Sequence, residues 1–333
     1  MNDEPGMWRR VGTPAKGFSY LRVNGKQLTS KSALARIKAL AIPPAWTDVS
    51  IATTAGAKIQ AVGTDAAGRK QYIYGEAHVA ERAARKFNKL LPFARALPAL
   101  RAATNEHLHL EGVGRERVLA TVVRLMCRAF FRVGSERYAV NNKTFGLATL
   151  KKSHLRIEGT DLYFEYVGKG SIDQRRVVAD TPLVEIIREI MDLPGERLFQ
   201  YCDVEGNVQK VTARDVNLYI KEILGETYTS KDIRTWGGTV RAATILADFG
   251  PAETRKQAEK HVVLACKLVS AELGNTPAVC RSAYIHPRVL DGYLAGGTIE
   301  GMMRKTPRPV EAESPPSYYA EEAALMRFLT AND

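Results

Sequence analysis

The chain has 333 residues, 45% of them hydrophobic and 25% charged, an ordinary balance for a globular protein of one or two domains. No apolar run approaches the length of a membrane-spanning helix or a secretory signal, so we expect a cytoplasmic protein. Four cysteines without paired spacing argue against a disulfide framework and a structural zinc site. The net charge of +12 favours a polyanionic partner such as nucleic acid.

The first part of the chain is rich in strand-like runs. Short strands are predicted over residues 8–11, 18–23, 58–62 and 69–74. Asn24-Gly25 is a hairpin signal, and helical spacing over 31–40 ends before Pro43-Pro44. A second helical pattern begins at Glu76 and is predicted to stop at Leu91, before Pro92, which makes it the expected joint between two domains.

Beyond residue 92 the pattern is mainly helical. An amphipathic helix is predicted over 115–131, and Pro98 is expected to kink or split the helix before it. Three short strands, over 155–157, 162–167 and 175–179, interrupt the helices. Further helices are predicted to begin at Thr181-Pro182, Thr212, Ser230 and Pro251, and Gly274 is expected to end the last of them.

These elements predict an α+β protein with a small β-rich N-terminal lobe and a larger, mainly helical lobe that contains a three-stranded insert. The predicted domains are residues 1–91, 92–309 and an acidic tail, 310–333, expected to be loose or docked at the periphery.

Four stretches have the composition of phosphate sites. They are Phe131-Arg132-Val133-Gly134, Gly168-Lys169-Gly170, Lys231-Asp232-Ile233-Arg234-Thr235, and the segment from Gly274 to Tyr284. Each also has an ordinary structural explanation. Arg132 could be a cation at a helix end, and Lys169 could be part of a polar turn. Arg234 could stack on Trp236, and Tyr284 could be a half-buried ring whose hydroxyl is exposed to solvent.

Taken in order, these stretches resemble the type IB DNA topoisomerases in their short, poxvirus-like bacterial form. Near the N-terminus, Gly68-Arg69-Lys70-Gln71-Tyr72-Ile73-Tyr74-Gly75 resembles the DNA-contacting G-R-x-Q-Y-x-Y-G strand of that family. The resemblance spans most of the chain and rests on the shared order and spacing of the motifs.

The resemblance implies that Tyr284 attacks a DNA phosphodiester and forms a 3′-phosphotyrosyl link. Arg132 and Arg234 would stabilise the negative charge of the transition state, and Lys169 would protonate the leaving 5′-oxygen. The family usually has a histidine where this chain has Asn275, which can donate a hydrogen bond but cannot move a proton. Asn275 is therefore expected to act as a neutral donor, or alternatively only to cap the preceding helix.

The implied partner is duplex DNA, enclosed by the two lobes as by a clamp. The expected DNA contacts are Arg69, Gln71, Tyr72, Tyr74, Tyr138 and Lys231. We expect a nucleoid-associated monomer that relaxes positive and negative supercoils and needs no metal, ATP or other cofactor.

Two other interpretations remain open. Tyrosine recombinases share the catalytic logic, but they usually carry a histidine where this chain has Lys231, and their N-terminal lobe is helical. A non-catalytic DNA-binding protein would account for the charge and for the segment 68–75, but it leaves the ordered catalytic set unexplained.

Overall fold

The computed structural model describes residues 6–303 and 319–331. Contacts within the chain divide it into two units, Met1–Phe87 and Asn88–Asp333. The first contains a β-sheet and the second is mainly helical with a separate three-stranded sheet, which confirms the predicted fold class.

The first unit is a five-stranded antiparallel sheet with the order β2-β1-β3-β4-β5. Its elements are β1 (Met7–Thr13), β2 (Gly17–Leu21), α1 (Lys31–Ala39), β3 (Thr47–Ala52), β4 (Ile59–Thr64), β5 (Lys70–Tyr74) and most of α2 (Glu76–Asn88). Helix α1 buries Ile37 against Val49, Ile51 and Ala61 of the sheet. Ser30 accepts a hydrogen bond from the Ala33 N–H and so caps this helix.

Strand β3 was absent from the sequence prediction because its alternation is broken. Asp48 has a φ of 50°, and the register between β3 and β4 shifts between Thr47 and Ser50. A bulge of this kind leaves too few alternating residues to indicate a strand.

The second unit packs its helices around α8, which is buried along most of its first ten residues. The helices are α3 (Leu90–Leu108), α4 (Arg115–Ala129), α5 (Glu136–Asn142), α6 (Thr181–Asp192), α7 (Ala213–Leu224), α8 (Ser230–Asp248), α9 (Arg255–Leu273), α10 (Pro277–Ala283), α11 (Pro287–Leu294) and α12 (Ala320–Thr330). Helix α4 buries its predicted apolar side, including Val118, Leu119, Val122, Leu125 and Met126.

Several predicted helix boundaries are wrong. Helix α3 begins at Leu90 and runs through both Pro92 and Pro98. Pro92 is tolerated because N–H groups in the first turn have no partner within a helix. Helix α8 is capped by Thr229 and not by Ser230, and α9 begins at Arg255, where Thr254 caps it, and not at Pro251. Gly274 ends α9 with a φ of 62°, as predicted.

The three-stranded insert consists of β6 (Leu155–Glu158), β7 (Asp161–Gly168) and β8 (Ile172–Ala179), in that order and antiparallel. Leu162, Phe164 and Tyr166 alternate toward the interior of the unit. The turn between β7 and β8 carries Lys169, as predicted. Two further short strands, β9 (Gln200–Cys202) and β10 (Val208–Lys210), form a small hairpin.

The end of the chain is not loose where the structure describes it. Helix α12 buries Leu325 and Phe328, and its Glu322 is 5% exposed. Glu322 accepts two hydrogen bonds of 2.8 Å from Arg101 and one of 2.9 Å from Trp236 Nε1 on α8. Of the two predicted states of the tail, residues 320–330 are therefore docked and not loose, while residues 310–318, 332 and 333 lie outside the described residues.

We expect Glu322→Ala to lower the stability of the second unit by about 3–5 kcal/mol, because it removes the buried carboxylate to which Arg101 and Trp236 Nε1 donate. Calorimetry should show a melting temperature at least about 6 °C lower. Glu259→Ala, which breaks an exposed pair with Arg255, is the control and should cost less than about 1 kcal/mol. Equal melting temperatures for the two variants would contradict the assigned role of Glu322.

No single helix among the described residues is long and apolar enough to span a membrane; α9 and α10 pass that test only together, across a bend of 94°.

Candidate active site

Arg234 is held at the centre of the second unit by backbone carbonyls. It is 4% exposed, and its Nη1 and Nη2 donate to the carbonyls of Phe130 and Leu273, the latter at 2.8 Å. Phe130 ends α4 in the left-handed conformation, and its ring lies over Gly237, where a Cβ atom would be 2.0 Å away. Glycine is therefore required at this point in α8, because any side chain would displace Phe130 and with it the acceptor of Arg234.

Tyr284 lies beside this arginine, in the break between α10 and α11. The Arg234 Cζ atom is 5.3 Å from the centroid of its ring. The Tyr284 backbone packs on the next turn of α8, because a Cβ atom at Gly238 would lie 2.8 Å from the Tyr284 carbonyl and Thr239 Oγ1 donates to that carbonyl at 3.3 Å. Positions 234 and 238 share one helix face, so α8 positions both the cation and the tyrosine.

The alternative in which Arg234 stacks on Trp236 is wrong. Trp236 points to Glu322, and the aromatic face next to Arg234 belongs to Tyr284.

Arg132 and Asn275 meet although they are 143 residues apart. Arg132 lies beyond the end of α4, and its Nη2 donates to Asn275 Oδ1 and, at 2.9 Å, to the Gly274 carbonyl. The Asn275 backbone N–H also donates to the Ser270 carbonyl at 3.0 Å. Asn275 thus caps α9 and also holds Arg132, so its contacts are not limited to the cap; its role as a donor to phosphate stays a prediction.

Three buried N–H groups in this region have no hydrogen-bond partner among the described residues: Asn275 Nδ2, Arg234 Nε and Arg176 Nε. Arg132, Arg176 and Arg234 line the same small cavity with Tyr166 and Gly168. Within the described part of the chain, no carboxylate forms an ion pair with any of the three arginines. An uncompensated cluster with spare donors is suited to receive an anion.

Burial is the main influence on the pKa values of these arginines. Burial lowers the pKa of Arg132 and of Arg176. Burial, followed by repulsion from Arg132, lowers the pKa of Arg234 to about 10, while Tyr284 opposes the shift. All three remain protonated at neutral pH, so their charge is available to a bound phosphate.

Lys169 is exposed at the tip of the β7–β8 hairpin. Its neighbour Gly168 lines the arginine cavity. In the described part of the chain, no hydrogen bond or ion pair joins Lys169 to Tyr284 or to the arginines. The structure therefore brings Arg132, Arg234, Asn275 and Tyr284 together and leaves the Lys169 side chain at the edge of the group.

In the first unit, the predicted DNA-contacting residues project from one hairpin but not from one face. Tyr72 and Tyr74 are exposed and stack with ring centroids 6.1 Å apart. Gln71 lies on the opposite face with Ile73, and its Nε2 donates to Asp65 Oδ2 at 2.9 Å. Arg69 Nε donates to the same oxygen at 2.8 Å.

Asp65 organises this hairpin, although no motif in the sequence singled it out. In addition to the hydrogen bonds from the Arg69 and Gln71 side chains, Asp65 accepts hydrogen bonds from the backbone N–H groups of Ala67 and Arg69. These bonds, with that from the Arg69 backbone the strongest, lower the pKa of Asp65 to about 2. The role of Asp65 could have been predicted from its position, because it is a carboxylate that precedes Gly68-Arg69 at a turn.

We expect Asp65→Ala to weaken binding of a short duplex by about fivefold, because Arg69 and Gln71 lose the acceptor that orders them. Loss of a negative charge alone would strengthen DNA binding. The direction of the change in affinity therefore separates the loss of ordering from the loss of charge. Fluorescence anisotropy at fixed salt measures the affinity, with Glu81→Ala on α2 as the exposed acidic control. Tighter binding by Asp65→Ala would contradict the ordering role.

The other two predicted DNA contacts, Tyr138 on α5 and Lys231 at the start of α8, are exposed. Neither hydrogen-bonds to the arginine cluster within the described residues. No group of three or more His, Cys, Asp or Glu side chains among the described residues is arranged to hold a metal ion.

Two family models match the chain. Residues 70–302 match the catalytic core of eukaryotic DNA topoisomerase I, and residues 17–65 match the N-terminal domain of bacterial DNA topoisomerase IB. The DNA topoisomerase 1B of Acanthamoeba polyphaga mimivirus is 33% identical over 285 residues, 84% of each chain. That of vaccinia virus (strain Copenhagen) is 26% identical over 239 residues, 69% of this chain and 71% of the viral one.

The core model covers residues 70–75 of the predicted DNA-contacting strand and the whole arginine–tyrosine cluster, and the relatives cover most of the chain. The protein therefore belongs to the type IB DNA topoisomerases.

Proposed function

We propose that this topoisomerase cuts one strand of duplex DNA through Tyr284 and reseals it, relaxing positive and negative supercoils. The observation that carries the proposal is the set of buried donors beside the tyrosine. Arg234 Nε and Asn275 Nδ2 have no partner among the described residues, and the nearby arginines have no carboxylate counterion there. A scissile phosphate supplies both the missing acceptors and the missing negative charge.

In the proposed reaction, the Tyr284 oxygen gives up its proton to solvent and attacks phosphorus. The new phosphorus–oxygen bond forms as the bond to the 5′-oxygen breaks, and Lys169 donates a proton to that oxygen. Arg132, Arg234 and Asn275 stabilise the charge on the non-bridging oxygens. Religation is the reverse attack by the 5′-hydroxyl, and because the covalent link conserves the phosphodiester energy, neither ATP nor a metal ion is required.

Both units are proposed to contact the same duplex as parts of a monomer, with Arg69, Gln71, Tyr72, Tyr74, Tyr138 and Lys231 as DNA contacts. Support comes from the exposed tyrosine pair, the ordered Arg69 and Gln71, and the net charge of +12. Phosphate contacts should dominate affinity, so binding should fall steeply with salt.

The direct test is relaxation of supercoiled plasmid in EDTA without ATP. We expect stepwise relaxation of both negatively and positively supercoiled plasmid, with no lasting nicks. Binding without relaxation would favour a non-catalytic DNA-binding protein, and a requirement for paired specific sites would favour a recombinase.

We expect Asn275→Ala to slow single-turnover cleavage by about 100-fold, the usual effect of removing one donor to a developing oxyanion. The loss should be the same at every pH between about 6 and 9, because an amide does not titrate. Rapid-quench measurement of adduct formation at several pH values gives both results. Asn207→Ala, which alters an exposed amide in the turn between β9 and β10, is the control. A loss that varies with pH would contradict the role of neutral donor.

A further inference from the structure

Gln174 is a buried polar side chain at the base of the Lys169 hairpin. It is 5% exposed and lies on β8 directly opposite Tyr166 of β7. A buried amide in a sheet is costly unless it is held in place, so its contacts indicate what it does there.

The side chain of Gln174 lies against two glycines, one from each half of the candidate active site. A Cβ atom at Gly168, next to Lys169, would be 2.7 Å from Gln174 Cγ. A Cβ atom at Gly274, next to Asn275, would be 2.5 Å from Gln174 Oε1. Gln174 therefore fills the space between the hairpin tip and the end of α9, and both glycines are needed for it to fit.

Arg176 fixes the orientation of this amide. Its Nη2 donates to Gln174 Oε1 at 2.9 Å, and Gln174 Nε2 donates at longer range to the Ile172 and Asp173 carbonyls of the same hairpin. Arg176 also interacts with the Tyr166 hydroxyl across the strand pair. The amide is thus tied to the hairpin on one side and packed on Gly274 on the other.

We propose that Gln174, oriented by Arg176, is a positioning residue that docks the Lys169 hairpin onto the Gly274-Asn275 segment. The proposal rests on the proposed function, in which Lys169 is the general acid. A lysine between two glycines at a hairpin tip samples many positions, and docking the base of the hairpin restricts it to those near the leaving oxygen. Gln174 thereby couples the proton donor to the phosphate-binding side chains.

The test compares two duplex substrates with one mapped cleavage site. In one the leaving atom is the natural 5′-oxygen, and in the other it is a 5′-bridging sulfur, which leaves as a thiolate without a proton donor. We expect Gln174→Ala to slow adduct formation on the oxygen substrate by about 10- to 100-fold, part of what a general acid contributes. On the sulfur substrate it should be within about threefold of the parent enzyme. A defect that was merely structural would slow both substrates equally.

Three further variants complete the test. Gln174→Asn keeps a buried amide, but its side chain is too short to reach both glycines. It should show the same difference between the two substrates, more weakly, and it replaces the alanine variant if that variant folds poorly. Arg175→Ala removes a neighbouring cation whose side chain is 84% exposed, and should match the parent enzyme on both substrates. Lys169→Ala should be slow on oxygen and restored by sulfur.

The outcomes separate the two proposals. If sulfur does not restore Lys169→Ala, Lys169 is not the acid and the positioning role is overturned with it. Suppose that the sulfur substrate restores the rate of adduct formation by Lys169→Ala. If Gln174→Ala then forms the adduct at the parental rate on both substrates, or is slowed equally on both, only the role of Gln174 is overturned.

Discussion

Tyr284→Phe is expected to form no covalent DNA adduct and to relax no plasmid, while its affinity for duplex DNA stays within about threefold of the parent enzyme. The substitution removes only the attacking oxygen. The hydroxyl's hydrogen bond to Arg234 is lost with that oxygen, but the ring can keep its place beside the guanidinium. The backbone contacts with Gly238 and Thr239 do not involve the hydroxyl and are retained. Adducts trapped with denaturant and resolved by gel electrophoresis give the first result, and anisotropy gives the second.

Tyr293→Phe is the matched control. This tyrosine lies in α11, close in sequence, and its hydroxyl bonds to the Gly250 carbonyl and to His261. It should lose some stability and keep its activity. An adduct formed by Tyr284→Phe would show that another residue is the nucleophile.

Arg234→Ala is expected to slow both cleavage and religation by about a thousandfold. The two reactions pass through the same transition state in opposite directions, and the variant lacks the guanidinium that stabilises its charge. Arg234→Lys should recover only a small part of this loss, since an ammonium group cannot reproduce the planar donors. Rapid-quench cleavage and single-turnover religation of purified adduct measure the two rates.

The folding of this variant must be measured separately, because the carbonyls of Phe130 and Leu273 lose their donor. Arg241→Ala removes a half-exposed arginine from the same helix, paired with Glu272, and should leave both rates unchanged. If a folded Arg234→Ala retained parental rates, the phosphate would have to bind elsewhere.

Most elements could be predicted from the sequence where one local signal dominates. The amphipathic stripe of α4, the capping box at Thr212 and the left-handed Gly274 are set by residues within a few positions of each other. The failures occur where a tertiary contact outweighs a local signal. Helix α3 runs through Pro92, β3 contains a bulge, and no helix was predicted where α12 lies.

The candidate site divides in the same way. The order of Arg132, Lys169, Arg234 and Tyr284 was sufficient to indicate the chemistry, because each residue stands in a short motif. Gln174 carried no such signal, since a glutamine in a strand is usually a solvated side chain. Only the approach of Gly168 and Gly274 leads to the proposed role.

The sequence by itself determined the class of protein and indicated the polyanionic partner, and it predicted the catalytic residue types, because composition and local motifs encode them. The tertiary structure decided which side chains share a site and which donors remain without partners. Arg132 and Asn275, 143 residues apart, meet only because α8 packs against both α4 and α9. Long-range packing of that kind leaves no periodic pattern in a single chain.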